Sequence, residues 1–233
     1  MTLRRDVDAR FDRAVANAAA EAPRPEAAGG ADGGLAAYLL SSVIGGTRMR
    51  GFAALARRMG GVAAIGELAW RAYGRFCEPA AAGEGQRAED AMPTNWLRLP
   101  RSRFVPDKQA STDARELLVL RAIVAAAEAN GAISRRQRLL IVARIEAMPV
   151  VPRHKALLAD EVETPMSYEE LAGFAQTPAL AAVIFGGSLI AVDGTCAESN
   201  AFLGALASRM GLPSGFVREL KRGADRLAGM AAA

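Results

Sequence analysis

The feature that most constrains this chain is a helix–loop–helix punctuation that occurs twice. Its two centres, Asn130-Gly131 and Asp193-Gly194, lie 63 positions apart. The first copy reads RAIVAAAEANGAISRRQRLLIVARIEAM (121–148) and the second LAAVIFGGSLIAVDGTCAESNAFLGALASRM (180–210). In each, an apolar run stops at an amide or acid followed by glycine. Each then restarts at a capping-box pattern, Ser134-x-x-Gln137 or Thr195-x-x-Glu198, in which two residues three apart satisfy each other's orphan backbone donors. Helix-period apolar runs broken only by such caps predict an all-α domain.

The punctuation is crisp from Ser111 onward. One helix runs to about Ala129, a second from Ser134 to Met148 before Pro149, and a third from near Pro152 through HKALLADEV. Ser167-x-x-Glu170 opens a fourth, ending at Gln176. Thr177 followed by Pro178 places a cap and an N1 proline ahead of a fifth that reaches Val192. Thr195 caps a sixth, which Gly211 ends at the C′ position. Ser214 caps the last, carrying Val217, Leu220 and Leu227. Seven helices with short loops predict a compact bundle over 111–230, built of two helix–loop–helix halves.

The sequence upstream divides into three. Residues 1–33 hold an amphipathic helix with Val7, Phe11 and Val15 at i, i+4 and i+8, then a Pro/Gly linker. Residues 34–77 are apolar yet rich in glycine, each glycine weakening an exposed helix by ~1 kcal/mol relative to alanine. Close helix–helix approach is one reason for so many; plain loops are another. Six arginines (Arg48, Arg50, Arg57, Arg58, Arg71 and Arg75) stand there against one acid, Glu67, so the basic balance of the chain belongs to this segment. Its apolar runs are about 12 residues long, short of the ~20 that a simple membrane span needs. The segment reads either as a peripheral or partly inserted membrane contact, a hairpin or an interfacial helix anchored by those arginines with Trp70 and Tyr73, or as an irregular helical subdomain packed on itself or on a partner protein. Residues 78–110 read as a second linker, in which WLRLPRSRF (96–104) is a basic, aromatic stretch that reads either as a docking peptide or, more simply, as solvated and mobile.

The helical half resembles the TerB-like (tellurite-resistance) superfamily, and the layout resembles the YebE-like inner-membrane proteins that carry such a domain. The stretches LRAIVAAAEANGAIS and TPALAAVIFGGSLIAVDGTCAESNAFLGALASRMGL carry the match, with GGVAAIGELAWRAYGRF upstream as a weaker one. The resemblance implies an all-α domain of two helix–loop–helix halves, a divalent-metal site between them, and a link to membranes or stress. It also implies a site weakened in this chain. The family's first loop reads Ala-Asp-Gly with an acid beginning the next helix, whereas here those positions are Asn130 and Gln137, flanked by Arg135, Arg136 and Arg138. Only Asp193 and Glu198 keep their charge.

Hard cations need several oxygen ligands with net negative charge, so Asn130, Gln137, Asp193 and Glu198 predict weak divalent binding at most. The same four residues are otherwise accounted for as helix caps. Arg135, Arg136, Arg138 and Arg144 also admit a nucleic-acid-binding or regulatory reading, against which Leu140, Ile141, Ile145 and Met148 form the buried stripe and the arginines its solvated face. No catalytic motif appears. His154, the one histidine, sits at a helix start and is expected to be exposed; Cys196 is expected to fill space near a cap; Asp160, Glu161 and Glu163 read as a solvated acidic face. Cys77 and Cys196 are too few and too far apart for a disulfide framework or a thiolate metal site, and the charged N-terminus lacks the apolar core of a secretory signal. The expectation is a non-enzymatic bacterial protein at the cytoplasmic face of the inner membrane or in the cytoplasm, with no small-molecule substrate.

Overall fold

The computed structural model describes residues 48–49, 51–52, 55–56, 61–78, 93–105, 113–131, 133–146, 152–192 and 196–232. Nine bounded α-helices follow in order: α1 Gly61–Cys77, α2 Arg101–Phe104, α3 Asp113–Ala129, α4 Arg135–Glu146, α5 Pro152–Glu163, α6 Tyr168–Gly173, α7 Pro178–Ile190, α8 Ala197–Arg209 and α9 Ser214–Ala232. Among the described residues a 3-10 turn, Thr94–Trp96, precedes α2. No strand occurs among the described residues. The fold is all-α, and the seven helices expected between 111 and 230 are those from α3 to α9. The helix expected at 2–21 and the linker after it lie outside the described residues.

Helix α7 is apolar on every side (PALAAVIFGGSLI), so no orientation could leave a polar face to water, and it sits at the centre. Ala181 through Val192 are all buried. It packs most extensively on α3, whose Leu118–Leu120 and Ala122–Ala127 are buried. It also touches α1, α2, α8 and α9. Between α7 and α3 the side chains are small, and the hydroxyl of Ser188 donates to the Ala122 carbonyl at 3.2 Å. That bond satisfies a fully buried polar group that would otherwise be costly.

The local punctuation acts largely as expected. Ser167 and Glu170 close a reciprocal capping box, although α6 ends at Gly173, three residues early. The Thr177 hydroxyl accepts from the Leu180 N–H, with Pro178 at the first helical position. After α8, Gly211 takes φ 62 and its N–H donates to the Ser208 carbonyl, while the Leu212 N–H reaches Ala207. These bonds make a complete Schellman motif. The cap of α8 is displaced: Cys196, not Thr195, holds the N-cap position, and it makes no side-chain cap bond. Thr195 lies outside the described residues, and α9 begins at Ser214 itself.

Two expectations about the upstream sequence are corrected. Helix α1, expected in a tether apart from the bundle, is part of its core. It packs mainly on α9 and α7, burying Val62, Ile65, Leu68, Ala69, Ala72 and Tyr73. Met49, Phe52 and Ala56 are buried too. Two of the glycines are explained by close approach. A methyl group at Gly66 would lie 2.3 Å from the carbonyl oxygen of Phe104, and one at Gly51 would lie 2.0 Å from that of Leu227. No side chain fits at either position.

The stretch expected to be a mobile linker is instead pinned at both ends. Trp96 and Phe104 are 2% and 0% exposed. They join Trp70, Tyr73, Phe76 and Phe216 in one aromatic cluster, with the Trp96–Phe216 centroids 4.7 Å apart. The Tyr73 hydroxyl donates to the Trp96 carbonyl at 2.6 Å and accepts from the Leu99 N–H at 3.0 Å. On the outer side of α1, Glu67 holds both Arg71 and Arg101 at 2.8 Å. Burial pushes the Glu67 carboxyl up, but the hydrogen bonds and charges of the two arginines outweigh it and hold the group below the ordinary range. Composition alone reads this stretch as loop because its hydrogen-bond partner Tyr73 lies 23 and 26 residues away from the groups it bonds.

Candidate functional site

The first loop follows the last turn of α3. Asn130 is the C-terminal cap of that helix and Gly131, at φ 64, turns the chain, its N–H donating to the Glu128 carbonyl. The Asn130 Oδ1 atom and the Glu128 Oε2 atom are both buried without a hydrogen-bond partner. From the first turns of α4, Arg138 reaches back, its Nη2 donating to the other Glu128 oxygen and its Nη1 donating to the Val162 carbonyl of α5 at 2.8 Å. One guanidinium therefore ties the end of α3 to α4 and α5. The side chain of Gln137 lies outside the described residues.

The second loop follows α7, and a different arginine holds it. Arg48 is 11% exposed; its Nη1 donates to the Val192 carbonyl at 2.9 Å and its Nε to Asp225 of α9 at 2.9 Å. Asp193 lies outside the described residues. Glu198, in the first turn of α8, is exposed and accepts a hydrogen bond from the Cys196 thiol at 2.6 Å. That bond holds the Glu198 carboxyl below the ordinary range.

A guanidinium thus bonds an oxygen beside each loop, the Glu128 carboxylate at the end of α3 and the Val192 carbonyl after α7. This bears on the divalent site that the resemblance implies. Of its four positions, Asn130 offers one neutral oxygen and Glu198 one exposed carboxylate already bonded to a thiol. With Arg138 on Glu128 and Arg48 on Val192, the local charge runs against a hard dication, which requires a concentration of negative oxygens. Of the four, only Asn130 and Glu198 are described side chains, and those two supply too little negative charge to hold such an ion. Among the described residues no group of three or more His, Cys, Asp and Glu is placed to hold a metal.

The residues expected to meet a membrane or a partner are distributed unevenly. Tyr73 is buried, Trp70 is half-buried against Tyr73 and Phe104, and Arg75 is half-buried with one guanidinium nitrogen lacking a partner. Arg48 is turned inward, and Arg71 is exposed but paired with Glu67. Arg50, Arg57 and Arg58 lie outside the described residues. Helices long and apolar enough to cross a membrane do not occur among the described residues. The nucleic-acid reading loses one of its four arginines, since Arg138 is committed to Glu128 and the Val162 carbonyl; Arg135 is exposed, and the side chains of Arg136, Arg144 and His154 lie outside the described residues.

Sequence reasoning missed two acids. Glu128, two residues before Asn130, was not singled out; its pairing with Arg138 across the turn is the signal that could have found it. Glu161, taken for part of a solvated face, is 4% exposed. One of its oxygens accepts from the Met166 N–H at 2.7 Å and the other faces Arg121 at 3.1 Å. Asp160 and Glu163 are exposed, as expected.

Burial raises the Glu161 carboxyl above its ordinary value, with Met166 and Arg121 opposing. Folding therefore takes up a proton between the unfolded and folded values, and stability falls as pH rises through that window. Glu161→Gln keeps the acceptor for Met166 and removes the titration. Chemical denaturation between the lower carboxylate range and neutrality is expected to show a shallower loss of stability for the variant. Parallel curves would mean that Glu161 titrates as if exposed.

Comparison with known proteins places the chain in one family. No curated protein and no solved structure matches it. Residues 27–224, which include α1 and the pinned segment, match the model of the family described as "Protein of unknown function (DUF533)", and the chain belongs to that family.

Proposed function

We propose that this protein is a non-enzymatic, TerB-like helical module in which arginine takes the structural place of a divalent cation at each loop. The module rests on an anionic surface, for which the cytoplasmic face of a bacterial inner membrane is the best candidate. The observation that carries the reading is the pair Arg138 and Arg48. Each ties a residue flanking one loop to a helix distant in sequence, which is the cross-linking a coordinated ion would otherwise perform. Exposed basic side chains at 97–103 support the surface assignment, while the ion pairs of Arg48 with Asp225 and of Arg71 with Glu67 turn two expected contact residues to structural use.

The test compares melting of the full chain with chelator and with excess Mg²⁺ or Ca²⁺. Little or no stabilisation is expected, because an ion that does not bind the native state adds nothing by mass action. Arg138→Gln is expected to cost about 1–3 kcal/mol by leaving Glu128 and the Val162 carbonyl unsatisfied. A clear rise in melting temperature of the unaltered chain with metal would overturn the arginine-clamp reading.

A further inference from the structure

We infer that the segment Leu97–Arg103 is the element that meets an anionic lipid surface; this rests on the surface assignment proposed above. The segment is a display held between two buried anchors. Trp96 and Phe104 are locked in the aromatic cluster, and the Tyr73 hydroxyl fixes the chain between them through the Trp96 carbonyl and the Leu99 N–H. Between the anchors Leu97 is 55% exposed, the most exposed large apolar side chain among the described residues. Arg98, Arg101 and Arg103 are exposed around it, and no acid occurs from 93 to 105. Arg101 is paired with Glu67, whereas the side chains of Arg98 and Arg103 form no ion pair among the described residues.

Arg98 also adopts φ 55, alone among the described non-glycine residues in the left-handed region. A long side chain there is unfavourable, and such outliers persist where the surroundings impose them. Here the anchors hold it, and the result is an exposed leucine and an exposed arginine side by side in the turn between them.

The chemistry fits phosphate headgroups. Guanidinium binds phosphate oxygens bidentately and sheds water more readily than ammonium does. A leucine amid such cations can enter the headgroup boundary while the arginines stay at the phosphates. A folded acidic protein is a poorer match, since a stable protein interface needs about 800 Å² of complementary surface on each side. The display is a single turn with one apolar side chain, and a bilayer adapts to it where a rigid protein face does not.

The experiment is cosedimentation of the full-length chain with vesicles of phosphatidylcholine alone and of phosphatidylcholine mixed with phosphatidylglycerol. The unaltered chain is expected to bind the mixed vesicles, less at high salt, and not the neutral ones. With about a fivefold contribution per arginine at such a surface, the triple variant Leu97→Ser/Arg98→Asn/Arg103→Gln is expected to lose roughly thirtyfold or more. Its melting temperature should be unchanged, as asparagine tolerates the left-handed backbone. Arg98→Asn alone, expected to lose about fivefold, guards against a triple variant that fails to fold. A parallel variant, Arg50→Gln/Arg57→Gln/Arg58→Gln, separates this segment from the upstream arginines. If the triple variant binds as the unaltered chain does while the upstream variant fails, the inference is overturned and the surface assignment stands. If the unaltered chain binds neither vesicle, both fall.

Discussion

Expressed alone, residues 111–230 are expected not to fold cooperatively, although the sequence marks them as a self-contained bundle. Helix α1 is missing from that fragment, and with it the cover over α7 and α9. Val62, Ile65, Leu68 and Tyr73 are each no more than 7% exposed in the full chain. Burial of one such side chain contributes roughly 1.5–3 kcal/mol. Four of them approach the ~5–15 kcal/mol by which a whole domain is stable. The loss should appear as a broad, non-cooperative melt in circular dichroism, with exposed apolar surface detectable by dye binding. Adding a separate fragment of residues 34–105 should restore a sharp transition. A sharp melt of 111–230 alone, near that of the full chain, would show that α1 is an ornament on the bundle.

Trp96→Ala is expected to destabilise the full chain by about 3–5 kcal/mol, the range for removing a large aromatic from a core. The indole lies against Tyr73, Phe76 and Phe216, and the same residue's carbonyl takes the Tyr73 hydroxyl. Tyr73→Phe separates the polar part from the packing. It leaves one buried carbonyl and one N–H without their partner, at a cost of about 1–3 kcal/mol. Denaturant midpoints of the two variants, taken with the unfolding slope, would check both. A change below about 1 kcal/mol for Trp96→Ala, well under that ~3–5 kcal/mol range, would mean that the segment 93–105 is held loosely, as a linker is.

The features legible in the sequence are those decided by near neighbours. The capping box at Ser167, the Thr177-Pro178 start and the Gly211 stop each depend on residues within five positions, so pattern reasoning finds them. The packing of α1 was not legible for the opposite reason. Nothing in GGVAAIGELAWRAYGRF says that Gly66 faces the Phe104 backbone, or that Tyr73 will bridge Trp96 and Leu99. Glycine and arginine there fit a membrane contact as well as a tight core, and only the partner decides. The loops divide in the same way: Asn130 and Gly131 were visible as a helix stop, while Glu128 and Arg138 needed the fold to bring them together. Arg48 is the extreme case, read as a surface cation and found bonded to Val192 and Asp225, 144 and 177 positions away.

That last contact has a consequence for how the protein is made. A ribosome delivers residues 48–77 long before it delivers α9 at Ser214–Ala232, yet the backbone near Gly51 and the side chains of α1 pack on that final helix. The early segment therefore spends most of synthesis with its apolar face uncovered, since contacts of such long sequence separation form late and slowly. Nascent chains halted before residue 214 should remain protease-sensitive and chaperone-bound, and protection of α1 should appear abruptly once the last helix clears the exit tunnel.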